Sequence, residues 1–234
     1  MSLYWLGTQP GVDFPDPESA LDEPNGLLAA GGDLAVERLL AAYQRGIFPW
    51  YSEGQPILWW SPDPRMVLRP AEFHASRSLR RTLRRGDWSF TTNRDFEGVI
   101  DACAESRPGQ EGTWITPAMR RAYLDLHQAG WAHSVEVCLD GQLAGGVYGV
   151  AIDGAFFGES MFHRLTDASK LALWYLCTLL ERDGFAVLDC QMHTAHLETL
   201  GATNLSRQVF CELLSRCCTR LKAWQPAPIS EALA

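Results

Sequence analysis

The sequence predicts an α+β fold, a small N-terminal unit followed by a larger domain in which a mainly antiparallel sheet is flanked by helices. Three observations carry this. The first 65 residues are rich in Gly, Pro and Trp and poor in sustained periodicity. From Ala132 the apolar pattern changes to a period of two, with two Asp-Gly turns. After those strands the order is helix, strand, helix.

Taken in order, Asp33 is expected to cap a helix running to about Arg45, with Gly46 as its stop. The N-terminal unit closes through Ile47-Phe48-Pro49-Trp50 and Trp59-Trp60-Ser61-Pro62-Asp63-Pro64-Arg65, where the prolines forbid helix. The expected division is therefore 1–65 and 66–234. Ser76 suits the cap of a helix through Arg85. At about 100° per residue, Arg77, Arg80, Arg81, Arg84 and Arg85 share one face, with Leu79 and Leu83 opposite. Thr116-Pro117 opens another helix whose apolar side is Met119, Ala122, Tyr123 and Leu126, and Gly130 stops it. Val135 to Leu139, Leu143 to Ile152 and Ala155 to Phe162 form a three-stranded meander about Asp140-Gly141 and Asp153-Gly154. Asp167 then caps a helix ending at Gly184, Phe185 to Gln191 is a short buried strand, and Ser206 caps a last helix to about Leu221. This order is compatible with N-acyltransferase folds of the acetyltransferase type.

The chain has 234 residues, 47% of them hydrophobic and 21% charged, the profile of a globular protein. Nothing approaches about 18 consecutive apolar residues, and no basic region precedes an apolar run at the N-terminus. A cytoplasmic, non-membrane protein is expected. The seven cysteines include no C-x-x-C pair and are expected as free thiols. The net charge of −8 is unevenly spread. Residues 1–37 hold seven acidic residues and no basic one, and removing these from the 28 acidic residues leaves 21 against 20 basic ones. Eighteen of the basic residues are Arg, whose planar, permanently charged fork suits phosphate.

Several groupings bear on chemistry. The two-residue period puts Asp189 and Gln191 on one face at the end of a buried strand, a carboxylate beside a carboxamide. Spacing alone leaves open an alternative, in which Asp189 caps the turn at Thr194 to Leu200 and Gln191 bonds to backbone. Glu159, inside the apolar string Gly158-Glu159-Ser160-Met161-Phe162, has to face solvent, a partner or a cleft. Cys190-x-x-His193-x-x-His196 offers zinc-ligand types but no fourth ligand at a recognisable spacing, so no metal is expected. There is no Gly-x-Ser-x-Gly elbow and no mark of an activated thiolate at Cys190. The arginine face has no interleaved acids and reads as a phosphate-binding surface or as a solvated one. Trp50, Trp59, Trp60 and Trp114 serve as core or as stacking platforms for bases.

Together these residues resemble the leucyl/phenylalanyl-tRNA-protein transferases. The resemblance rests on Glu23-Pro24-Asn25-Gly26-Leu27-Leu28-Ala29, Gly31-Gly32-Asp33-Leu34, Tyr43-Gln44-Arg45-Gly46-Ile47-Phe48-Pro49-Trp50, Leu58 to Arg65, Gly112-Thr113-Trp114-Ile115-Thr116, Gly158 to Phe162, Ala168-Ser169-Lys170, Asp189-Cys190-Gln191 and Leu200-Gly201-Ala202, in the family's order. It implies an acetyltransferase-like (GNAT-type) catalytic domain. The implied enzyme moves Leu or Phe, less readily Met, from aminoacyl-tRNA to proteins beginning with Arg or Lys, marks them for N-degron degradation, and needs no cofactor or metal. The resemblance also assigns roles. The Gln191 carbonyl takes a proton from the acceptor's α-amino group and Asp189 polarises that carboxamide. Glu159 is a pocket carboxylate, and its charge adds the expectation that it meets the acceptor's basic side chain. Trp50 and Trp114 lie near the terminal adenosine, Phe156 and Met161 wall the aminoacyl pocket, and the arginines of 77–85 hold the tRNA acceptor region. Where some relatives read Asn-Asp-His, this chain reads Thr194-Ala195-His196. Two rivals are a non-catalytic tRNA-binding module and an acetyl-CoA-dependent N-acetyltransferase. Against the latter, Phe162 to Asp167 lacks the glycine-rich loop that a pyrophosphate wants.

Overall fold

The computed structural model describes residues 3–7, 13–85, 88–105 and 115–229. In chain order the elements are β1 (Tyr4–Leu6), β2 (Leu27–Gly31), α1 (Val36–Gln44), β3 (Phe48–Pro49), β4 (Leu58–Trp60), β5 (Arg65–Leu68), α2 (Arg77–Arg85), β6 (Trp88–Thr92), α3 (Phe96–Ala104), α4 (Pro117–Gln128), β7 (Ala132–Leu139), β8 (Gln142–Ile152), β9 (Ala155–His163), α5 (Ala168–Arg182), β10 (Val187–Gln191), α6 (Ala195–Glu198), β11 (Thr203–Leu205) and α7 (Arg207–Cys217). The α+β class and the mainly antiparallel large sheet are both present.

Two sheets divide these strands. The small one, β1-β2-β4-β3, lies wholly before residue 61; the large one, in the order β11-β5-β10-β9-β8-β7-β6, begins at Arg65. Every pair in the large sheet is antiparallel except β9 with β10. The meander turns are where the sequence puts them, Asp140 and Asp153 both taking positive φ. One face of the large sheet packs on α5 and α2 through Leu171, Leu176, Leu79 and Phe156. The other packs on α3 and α4, and its core runs on into the small sheet, joining Val99, Tyr123 and Phe157 to Tyr43 and Trp59.

Local chemistry explains most helix ends. Ser76, Thr116 and Ser206 each accept the N–H three residues on, at 3.1, 3.2 and 3.3 Å. Two expected caps differ. Asp33 stands outside α1, whose first flanking residue is Ala35; its carboxylate accepts from the Ala35 N–H and pairs with Arg38. Asp167 occupies the cap position of α5 in the left-handed region and bonds no helix N–H, because Lys170 and Thr82 take its carboxylate. The last helix ends at Cys217, four residues earlier than expected. Strands β5 and β6 and helix α3 lack a pattern long enough to announce them; pairing in the sheet makes β5 and β6, and an Asp95 cap starts α3.

One buried ion pair ties the two sheets together. Arg65 opens β5 and forks onto Asp189 of β10, Nε to Oδ1 at 2.8 Å and Nη2 to Oδ2 at 2.6 Å, with side chains 1% and 0% exposed. Its Nη1 donates to the Gly46 carbonyl at 3.1 Å, and the guanidinium lies between the rings of Phe48 and Phe210. Gly46 is held at φ 73°, where a Cβ would meet the Phe210 ring at 3.0 Å. Removing one partner leaves a buried charge uncompensated. Arg65→Met is expected to lower the unfolding free energy by about 3–5 kcal/mol, read by urea denaturation; a loss under about 1 kcal/mol contradicts this account.

Candidate functional site

The site grows from two strand irregularities. Along β9, Phe157 and Phe162 belong to the same core although five residues separate them, and Phe156 and Met161 likewise share the opposite face. Strict alternation forbids both, so one extra residue has been inserted. The register shifts opposite Tyr148 and Gly149, and the bulge turns Glu159 toward α1 and α4. Gly149 permits it, since a Cβ there would meet the Phe157 carbonyl oxygen at 2.2 Å. On β10 the register shifts between Asp189 and Gln191, and Gln191 has φ 63°. A non-glycine residue in that region is strained and is held there by its contacts.

Those contacts are specific. Gln191 Nε2 donates to Glu159 Oε1 at 3.0 Å, while the Gln191 backbone N–H donates to Asp189 Oδ1 at 2.9 Å. Asp189 therefore fixes the backbone of Gln191 and binds Arg65; it does not touch the carboxamide, which the sequence reading had it polarise. Glu159 does. Tyr43 of α1 donates to Glu159 Oε1 at 2.8 Å and Tyr123 of α4 to Oε2 at 2.6 Å, and the two hydroxyls also touch each other.

Proton counting distinguishes two states of this ring. Three oxygen-to-oxygen contacts join the two tyrosines and the carboxyl group, but two hydroxyls supply only two hydrogens. With both hydroxyls donating to an ionised Glu159 the contact between the tyrosines holds no hydrogen; a protonated Glu159 fills all three contacts by donating to one tyrosine, which then donates to the other. Burial acts in the same direction and pushes the Glu159 carboxyl up to about 7 from an ordinary 4.5, against the lowering effect of the tyrosine hydroxyls. Both tyrosines are pushed well above their ordinary range by the same burial and by the charge of Glu159.

The other expected residues are distributed as follows. Trp50 is 37% exposed, edge-on to Trp60, whose indole N–H donates to the Trp50 carbonyl at 2.7 Å. Trp114 lies outside the described residues. Met161 borders an open cavity, whereas Phe156 is 1% exposed and edge-on to Trp224, so a ligand meets it only after neighbouring core side chains shift. Arg77, Arg80, Arg81, Arg84 and Arg85 are all exposed on α2, which is anchored by buried Leu79. The thiol of Cys190 is pushed well above its ordinary range by burial and by Asp189, the reverse of an activated nucleophile. Among the described residues no group of three His, Cys, Asp or Glu could hold a metal, and no helix is long and apolar enough to cross a membrane.

The sequence reading missed Arg65, Tyr43 and Tyr123. A signal was present in each case: a lone arginine at the head of Arg65-Met66-Val67-Leu68, and a hydroxyl on the apolar side of each of two helices.

Raising the folded-state value of Glu159 means that between pH 4.5 and about 7 the folded chain keeps a proton that the unfolded chain has lost. Stability should fall by up to about 1.4 kcal/mol per pH unit over that window and level off above it. Denaturation of wild type and Glu159→Gln at pH 5 and pH 7.5 checks this, the variant lacking that part of the slope.

Comparison with known proteins adds to this geometry. Residues 67–215 match the sequence model of a family described as leucyl/phenylalanyl-tRNA protein transferase, and residues 32–63 match that of its N-terminal domain. A relative from Aromatoleum aromaticum named leucyl/phenylalanyl-tRNA--protein transferase is 59% identical over 209 residues, covering 89% of this chain and 87% of its own. One of the same name from Stutzerimonas stutzeri is 57% identical over 213 residues, with 91% and 94% covered. Solved structures overlap more distantly. L-PGS from Bacillus licheniformis gives a TM-score of 0.44 at 11% identity, covering 82% of this chain and 72% of that one. A GCN5-related N-acetyltransferase from Kribbella flavida gives 0.39 at 13%, covering 71% and 59%.

Proposed function

Because the chain belongs to the leucyl/phenylalanyl-tRNA protein transferase family, an aminoacyltransferase family, we propose that it carries Leu or Phe, and less readily Met, from tRNA to the α-amino group of cytoplasmic proteins that begin with Arg or Lys, marking them for N-degron degradation. The observation that carries the mechanism is the bond from Gln191 Nε2 to Glu159. An amide is planar, so that bond turns the Gln191 carbonyl oxygen away from Glu159, where it can accept a hydrogen bond from an incoming amine.

The donor is an activated ester, and no enzyme nucleophile or cofactor is needed to attack it; holding the two substrates together is the main task. The acceptor nitrogen attacks the ester carbonyl carbon, a C–N bond forms, and the bond to the ribose oxygen breaks. The proton lost by nitrogen passes by way of the Gln191 carbonyl oxygen to the departing ribose oxygen. An α-amino group with a pKa of about 7.7–8.0 is partly neutral at pH 7.5. The surroundings add little opposing charge, because Asp189 is paired with Arg65 and Glu159, pushed up to about 7, still carries part of its proton near neutral pH. Both oxygens of Glu159 are already bonded, so its part is to set the Gln191 amide rather than to stand open to a cationic acceptor side chain. Trp50 offers an exposed ring for the terminal adenosine, and Met161 an apolar wall for the aminoacyl group.

Mixing the protein with Leu-tRNA or Phe-tRNA and a peptide beginning with Arg, with an Ala peptide as control, should give one added residue on the Arg peptide alone by mass spectrometry. Addition to neither, with tRNA binding intact, favours a binding module. Gln191→Ala should lower kcat by about 100-fold or more with tRNA affinity little changed. Each Arg→Ala among Arg77, Arg80, Arg81, Arg84 and Arg85 that meets a phosphate should reduce the salt slope of tRNA binding by about 0.7 to 0.9.

A further inference from the structure

Between the end of β9 and the start of α5 lies a cavity of about 360 Å³ to which the reaction above assigns only Met161. It is lined also by His163, Thr166, Asp167, Ser169, Lys170 and His196, Asp167 and Lys170 being ion-paired at 2.7 Å. Two of its walls come straight from the site: Met161 follows Glu159 by two residues on β9, and His196 follows Gln191 by five. The third wall reaches the arginine helix. Asp167, at the mouth of α5, accepts from Thr82 of α2 at 3.2 Å and from Lys170 Nζ at 2.7 Å. The cavity is thus joined to α2 through Asp167 and shares β9 with Glu159 through Met161.

Its lining suits an anion. Lys170 supplies a charge, the two imidazoles supply N–H donors, Ser169 and Thr166 supply hydroxyls, and α5 begins at Ala168. The carboxylate of Asp167 is already engaged and its side chain is 14% exposed. Burial, Lys170 and His163 together hold the imidazole of His196 below its ordinary value.

We propose that this cavity is a phosphodiester subsite, holding the backbone phosphate just upstream of the terminal adenosine of the aminoacyl-tRNA, with Lys170 and His196 as its contacts. The inference rests on the transferase reading. It gives the single-stranded end of the donor one fixed point between the arginines of α2 and the reacting ester. An incoming phosphate also draws a proton onto His196, so the contact strengthens as pH falls.

Two minimal donors test it: phenylalanyl-adenosine, which lacks that phosphate, and cytidylyl-adenosine carrying phenylalanine, which has it. With an Arg-initiated peptide, wild type should use the phosphate-bearing donor with kcat/KM about tenfold higher. In Lys170→Gln and in His196→Gln the ratio between the two donors should collapse toward one, whereas a merely structural role lowers both donors together and keeps the ratio. Lys170→Arg should restore a preference for the phosphate-bearing donor. A ratio near one in wild type, or a ratio kept in both Gln variants, overturns the subsite while leaving the transferase reading intact. Transfer from neither minimal donor nor from aminoacyl-tRNA overturns both.

Discussion

A guanidinium and a carboxylate withdrawn from water are tolerated only when each satisfies the other, and the pair formed by Arg65 and Asp189 meets that condition with two short bonds. The rest of the site hangs from it. Asp189 cannot move without stranding Arg65, so the backbone of Gln191, bonded to the same carboxylate, is held in a conformation that its side chain would not choose alone. Arg65 also grips the carbonyl of Gly46, where α1 ends. The small sheet is fastened in this way to the strand that carries the carboxamide. The ion pair is structural in its contacts and functional in its consequence, because it determines where a neutral amide points.

The second constraint is one of hydrogens. A carboxyl group enclosed by Tyr43 and Tyr123 has one oxygen contact more than the hydroxyls can fill, and a proton completes the set. Both tyrosines come from helices packed against the sheet, one in each part of the chain, so Glu159 is a second fastening between them. Below about pH 7 the protonated Glu159 and the Arg65-paired Asp189 leave the surroundings of Gln191 almost without net charge. That environment suits an amine that must be neutral to attack, and an ester that is already reactive.

The arginine helix keeps its charge at the surface. The cations of α2 are exposed, whereas Asp189 is fully buried. The helix is linked to the rest of the domain through Asp167, which the sequence marks as a helix cap and the fold uses as a bridge between α2 and α5.

Much of this was legible in the chain. The Asp-Gly turns set the meander, Ser76, Thr116 and Ser206 set their helix starts, and the pairing of arginines with the period of a helix set the face of α2, because each is decided by residues close in sequence. That Glu159, Asp189 and Gln191 need partners was legible too, since polar groups in apolar strands have to be accounted for. Their connections were not. A one-residue bulge reverses which face a side chain takes and leaves no mark in an alternating pattern, so Glu159 and Gln191 could not be paired from spacing. Arg65 meets Asp189 across 124 positions and Tyr43 meets Glu159 across 116. The sequence by itself determined the meander, the capped helices and the charged face, because each is set by neighbours in the chain. Only the tertiary structure decided which carboxyl group holds the amide and which holds the fold, because that depends on contacts between residues far apart in the chain, made where water is excluded.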